Sequence, residues 1–291
     1  MKEKYITDLD IENFMSDNKA KNVLRNKACG DITVIDGSIK TKAQELKYGK
    51  SIGEYISIYT KRPLDDEYDS HALEMTVSKE LKRLVEKYIG KKIDTNTSLL
   101  VVGIGNKSIA SDSLGVLTAD KIHVNRHIKG LDEKMFLSLN SCSLSAFIPG
   151  VYGNTGINTV DLVSGVIRET SPDCLLVVDS LVSTRISFLG AMLQISDGGI
   201  SPGSGVDNER CEISKQTVGV PVISLGVPFV TDSFSVISGA LASSSIENEN
   251  KKLFEKLRRS NKTLITLNNC EALVNKWSDV LAESIEEICV L

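Results

Sequence analysis

Five apolar residues in a row, Cys174-Leu175-Leu176-Val177-Val178, end on a carboxylate, Asp179. A strand with one wet face alternates apolar and polar side chains. An unbroken apolar run belongs instead to a strand covered on both faces, the usual condition of a parallel sheet between helices. Similar runs occur at Ser98–Val102, Leu144–Ile148 and Val220–Val230, the last broken by Gly226 and Pro228. Helical patterns lie among them. After Asp65, residues Leu73, Val77, Leu81, Leu84, Val85 and Tyr88 recur at helical spacing, and further helices are predicted over Ser113–Ile128, Val160–Glu169 and Glu271–Ile288. The pattern predicts an α/β fold: a mainly parallel sheet flanked by helices.

Composition narrows the chemistry. The formal net charge is -4, which offers no general attraction to nucleic acid or to an anionic membrane, and aromatics are only 5%, too few for a base-stacking surface. Three histidines, His71, His123 and His127, leave imidazole-rich chemistry short of material. The six cysteines are scattered without a CxxC pair, so they read as small buried hydrophobes in a reducing compartment. No apolar run reaches the ~20 residues of a membrane span. A cytoplasmic protein with neither metal nor other cofactor is expected.

Several motifs bear on a site. Gly103-Ile104-Gly105 follows an apolar strand, but Ser108 stands where a dinucleotide fingerprint would have its third glycine. A tight strand-to-helix turn is the plainer account. Asp112, just beyond, suits either the cap of the next helix or a carboxylate at the edge where open α/β sheets hold their sites. Asp179 ends a buried strand, where a charge is costly unless paired, hydrated or used. It either caps the next helix, pairs with nearby Arg185, or is catalytic. Two such carboxylates brought together can hold different protonation states, one activating water while the other protonates a leaving amine. His123 and His127 lie four apart on the Ser113–Ile128 helix, without the glutamate of a zinc-protease motif. Gln194–Val206 packs four glycines, a proline and three serines into thirteen residues, the composition of a loop that shapes a pocket.

Taken together these segments resemble the germination proteases, spore endopeptidases of endospore-forming bacteria. The resemblance is carried by Val101-Val102-Gly103-Ile104-Gly105-Asn106 with Asp112-Ser113-Leu114-Gly115, by Asn125-Arg126-His127, by Ile148-Pro149-Gly150-Val151 with Thr155-Gly156-Ile157, and by Val178-Asp179-Ser180-Leu181 with Arg185. It is strongest over Gln194–Val206 and over Val220-Pro221-Val222-Ile223 with Gly226-Val227-Pro228.

The resemblance implies an aspartic-type endopeptidase whose two essential aspartates match Asp112 and Asp179. It also implies a zymogen trimmed at its own N-terminus, small acid-soluble spore proteins as substrates, a homotetramer in the forespore and spore core, and a fold similar to hydrogenase-maturation proteases. Thr7-Asp8-Leu9-Asp10-Ile11-Glu12 is similar to the family's self-processing site, with Asp8-Leu9 as the bond. Arg185, Asp197, Asp232, Gly203 and Gly205 are expected in support or substrate contact. The expected organisation is a propeptide at 1–8, an N-terminal arm and helix at 9–95, a catalytic core at 96–242, and a linker with C-terminal helix at 243–291. A metal-dependent protease using His123 or His127, and a non-catalytic binding or regulatory protein on the same fold, are the alternatives.

Overall fold

The apolar runs do become a sheet. The computed structural model describes residues 9, 25–48, 50–62, 64, 67–201, 212–243 and 263–291. Its strands are β1 (Arg25–Cys29), β2 (Ile32–Ile39), β3 (Gly53–Thr60), β4 (Ser98–Gly103), β5 (Ser143–Phe147), β6 (Cys174–Val182), β7 (Met192–Ser196), β8 (Val222–Asp232) and β9 (Leu264–Thr266). All lie in one sheet, ordered β1-β2-β3-β7-β8-β6-β4-β5, with β9 also pairing β8. The four central and edge strands read from the apolar runs, β8-β6-β4-β5, are parallel. From β8 onward the sheet continues antiparallel through β7, β3, β2 and β1.

The helices are α1 (Lys42–Tyr48), α2 (His71–Ile89), α3 (Leu114–Lys121), α4 (Arg126–Leu131), α5 (Glu133–Ser138), α6 (Tyr152–Thr155), α7 (Thr159–Thr170), α8 (Lys215–Val218), α9 (Ser233–Ser243) and α10 (Cys270–Cys289). Alternate residues of β6 feed two cores, as the strand's two-residue period requires. Cys174, Leu176 and Val178 face α2, α3 and α10, where Leu73, Leu81, Leu84, Trp277, Leu281 and Ile285 pack. Leu175 and Val177 face the other way, toward Val163 and Ile167 of α7. Helices therefore cover both faces, as expected of an α/β fold. The C-terminal helix α10 packs on the sheet, and its Trp277 indole N–H donates to the Gly190 carbonyl at 2.7 Å in the buried interior.

Three local expectations are corrected. Ser113–Ile128 is not one helix. α3 ends at Lys121, the chain extends at Ile122, and α4 begins at Arg126. Asn125 causes the break: its side-chain carbonyl accepts from Leu144 N at 2.7 Å and its amide donates to the Cys142 carbonyl at 2.9 Å, so the residue serves the edge of β5 instead of a helix. His123 and His127 consequently do not share a helix face. Second, Gln194–Ser196 belong to β7 rather than to a loop. Third, Asp179 does not end its strand: β6 stays paired with β8 as far as Val182, so the carboxylate lies within it.

Trp277→Phe keeps an aromatic ring but loses the indole N–H and some volume, and it orphans the buried Gly190 carbonyl. It is expected to lower unfolding free energy by about 1–3 kcal/mol. A lower urea midpoint with unchanged slope, followed by circular dichroism, is the signature; an unchanged midpoint would show that the bond contributes nothing.

Candidate active site

The carboxyl end of β4 and the middle of β6 are joined by unusually close backbone packing. Gly103, the last residue of β4, aligns with Val178 of β6, and the next residue, Ile104, donates its N–H to the Val178 carbonyl at 2.9 Å. The first turn of α3 presses on this junction. A Cβ on Gly115 would come within 2.2 Å of the Val178 carbonyl oxygen and 2.4 Å of the Ile104 carbonyl oxygen. A Cβ on Gly103 would meet the Gly115 oxygen at 2.2 Å. Only glycines permit this contact, and it draws the chain just before α3 onto the strand ends.

Asp112 sits in that chain, at the end of a 3-10 turn, Ala110–Asp112. Its carboxylate Oδ2 and its carbonyl both accept from Asn106 N, at 3.0 and 2.9 Å. Gly105 makes room for them with φ +124°, since a Cβ there would lie 1.9 Å from the Asp112 carbonyl oxygen. The helix cap expected of Asp112 is not what forms: α3 starts after Ser113, with no side-chain cap. Asp179 follows Val178 directly and is buried, its Oδ1 accepting from Ser180 N at 2.8 Å. The fold thus brings both aspartates toward one edge, Asp179 from within β6 and Asp112 from the turn that follows the adjacent parallel strand β4.

Across the sheet Asp179 is level with Gly226, then Gln194, then Ser57. Residues level with one another point to the same face. Beside the carboxylate there is therefore no side chain at Gly226, and beyond it lies the buried amide of Gln194. Gln194 was not among the expected site residues. Its signal was a lone amide inside the apolar stretch Ala191–Ile195.

One row further along this face, Leu181, Phe188 and Met192 enclose Leu9, which is fully buried. Ile35, Tyr59 and Ile200 border the cluster, and Tyr59 meets the Phe188 ring edge-on at 5.7 Å. Arg185 is exposed with its guanidinium 5.5 Å above the Phe188 ring, at the rim of this cluster.

The remaining candidates lie apart or outside. Asp232 ends β8 and accepts from Ser235 N at 2.9 Å and from the Ser235 hydroxyl, capping α9. Asp197 follows the end of β7, which runs antiparallel to β8, so it lies beyond the level of Ser224 and away from the Asp179 edge. There it accepts from Glu54 N at 2.5 Å and from the Tyr88 hydroxyl. Burial raises the Asp197 pKa, outweighing those two bonds. Burial and the Asp197 contact also raise that of Tyr88. Glu54 is pushed up by burial, but Lys87 and Arg83 overcome this and leave it low. Gly203, Gly205 and Asp8 lie outside the described residues.

His123 places Nδ1 3.0 Å from a Glu286 oxygen, and both His123 and His127 follow the C-terminal end of α3, whose opposite end serves Asp112. Among the described residues no three His, Cys, Asp or Glu side chains converge on a point that could hold a metal. Nor is any helix among them long and apolar enough to cross a membrane.

Comparison with known proteins decides the relationship. The sequence model described as Germination protease matches residues 3–276. The chain belongs to the germination protease family. The germination protease of Oceanobacillus iheyensis is 35% identical over 229 residues, covering 78% of this chain and 61% of that protein. That of Caldanaerobacter subterraneus subsp. tengcongensis is 40% identical over 192 residues, covering 66% of this chain and 57% of the relative. That of Priestia megaterium is 38% identical over 195 residues, covering 66% and 51%. The matched part therefore spans between about half and three fifths of these relatives' length.

The raised pKa of Asp197 has a consequence for stability. The folded chain holds this proton more tightly than the unfolded chain. The contribution is fully present below the unfolded carboxylate range, about pH 4, and is lost as pH rises through the raised folded value. Asp197→Asn keeps an acceptor for Glu54 N and removes the titration. In urea unfolding stepped from about pH 4 to 7, the variant should show a flatter stability profile than the parent. Identical profiles would show that burial does not raise this carboxyl.

Proposed function

We propose that the chain is a germination-type endopeptidase that opens the degradation of small acid-soluble spore proteins, working with Asp112 and Asp179. The observation that carries this reading is the delivery of both carboxylates to one sheet edge by the Gly103–Gly115–Val178 contact. Membership of the germination protease family supports it.

In this reading a water lies between the two carboxylates and the peptide carbonyl. Like-charge repulsion keeps one aspartate protonated while the other is ionised, and the two titrate as a pair. The ionised one takes a proton from water as its oxygen bonds to the carbonyl carbon. The protonated one hydrogen-bonds the substrate, and a proton then passes to the leaving nitrogen as the C–N bond breaks. Burial of Asp179 suits such a site, because it keeps water scarce around the carboxylate.

The chain acts first on itself at Asp8-Leu9, residues 1–8 being a propeptide. Leu9, buried on the Asp179 face one row from the carboxylate, supports this. The reading includes a homotetramer and action in the forespore and spore core, both drawn from the resemblance. Arg185, at the rim of the Leu9 cluster, meets acidic substrate residues.

A peptide containing Thr-Asp-Leu-Asp-Ile-Glu, incubated with purified protein freed of residues 1–8 and followed by mass spectrometry, should be cut after its first aspartate. Asp112→Asn and Asp179→Asn should each slow the reaction by at least about 100-fold, the range of a lost general acid or base. Their urea midpoints should remain close to that of the parent. A peptide left intact, or cut equally by both variants, would overturn the reading.

A further inference from the structure

We infer that the seat formed by Leu181, Phe188 and Met192 is the pocket that selects the residue following the scissile bond, and that its walls set the largest side chain accepted. The inference rests on the protease reading above and adds to it the residues that read the substrate.

The seat is a satellite of the two main cores. Leu9, Leu181, Phe188 and Met192 form a cluster of their own, bordered by Ile35, Tyr59 and Ile200. Leu181 is two residues along β6 from Asp179, so both side chains stand on one face of one strand. Met192 stands level with Tyr59, one row beyond the row of Gln194 and Asp179. A peptide whose leucine fills this seat brings its backbone past the carboxylate. The pocket is lined by apolar groups and its occupant is fully buried, so a charged or amide side chain entering it would lose its water without gaining a partner.

The floor is adjustable. Leu181 packs over Gly226, where a Cβ would lie 2.5 Å from Leu181 Cδ1. A methyl at that position pushes the far end of Leu181 toward the seat and narrows it. Shortening Met192 at the opposite wall widens it. The two changes move the accepted size in opposite directions, which a general loss of stability would not do.

The test uses the chain freed of residues 1–8 and carrying Leu9→Ala, which empties the seat without relying on self-processing, and peptides with Leu, Ala, Phe or Asp after the first aspartate of Thr-Asp-X-Asp-Ile-Glu. With otherwise unchanged walls, kcat/KM should favour Leu over Ala by about 10–200-fold, the range for missing methylenes in an apolar pocket, and the Asp peptide should not be cut. Met192→Ala should raise Phe relative to Leu by about 10-fold, and Gly226→Ala should lower Leu relative to Ala by a similar factor. Ratios that stay fixed in both variants would overturn the inference while leaving the protease reading intact.

Hydrogen exchange separates the pocket from catalysis. Leu9→Ala should lose amide protection over 186–192, and the Leu peptide, not the Ala peptide, should restore it even with Asp112→Asn. Absence of that loss and recovery would sink the pocket whatever the cleavage assay shows. No cleavage of any peptide, with normal recovery of protection, would sink the protease reading alone.

Discussion

Everything at the candidate site depends on one contact without side chains. Gly103, Gly115 and the Val178 carbonyl meet so closely that α3 begins on the strand ends themselves. Helices ordinarily pack on sheets through side chains, which keep the two backbones apart. Here the first turn is drawn in to backbone contact, and the residues preceding it must double back sharply. Gly105 accepts the unusual φ this needs, and Asn106 closes the turn by donating to Asp112. The second aspartate needs no such device, because it is the residue after Val178 in the same strand. A single geometric constraint thus sets the position of one carboxylate relative to the other.

The parallel half of the sheet was legible because burial on both faces erases alternation, leaving runs such as Leu175–Val178 that no other element explains as well. The helices α2, α7 and α10 were legible for a related reason: each presents one apolar stripe to that sheet, and their observed limits fall close to the periodic residues. The antiparallel half was hidden. β2 and β3 mix Asp36, Gly37, Ser38, Glu54 and Ser57 with their apolar residues, and β7 is a five-residue strand that opens a glycine-rich stretch. Such strands form because neighbours supply hydrogen bonds, and that supply is a tertiary fact. The break before α4 was hidden likewise, since Asn125 leaves the helix for partners at and just before the start of β5, seventeen and nineteen residues away.

Within the site, Asp112 stood out because it follows the glycine turn after β4, and Asp179 because a charge closes a buried apolar run. Asp197 and Asp232 stood out only as acidic residues near glycine-rich or strand-ending sequence. The structure gives both local employment: Asp232 holds the first turn of α9, and Asp197 ties the start of β3 to the end of β7 with Tyr88 of α2. A carboxylate's neighbours in sequence do not disclose which of these duties it has. Cross-strand register does, and that is why Gln194, two strands from Asp179 but level with it, escaped notice.

The position of Leu9 links the two halves of the sheet. Its cluster draws Leu181 from a parallel strand, Met192 from an antiparallel one and Tyr59 from β3, so it lies across the seam where the strand direction changes. At the seam β8 is parallel to β6 on one side and antiparallel to β7 on the other. Side chains on β7 therefore approach the Asp179 row from the opposite direction to those on β6, and the register slips between Leu181 and Val182. A fully parallel sheet would keep every strand's carboxyl end at the same edge and would not carry β7 back past that row. The reversal puts Leu181 and Met192 beside a carboxylate on a floor of paired strands, and the turn between β6 and β7 adds Phe188. A site that must hold an extended chain and one buried side chain in fixed relation gains from that floor, because strand spacing sets the distance from Leu181 and Met192 to the carboxylate.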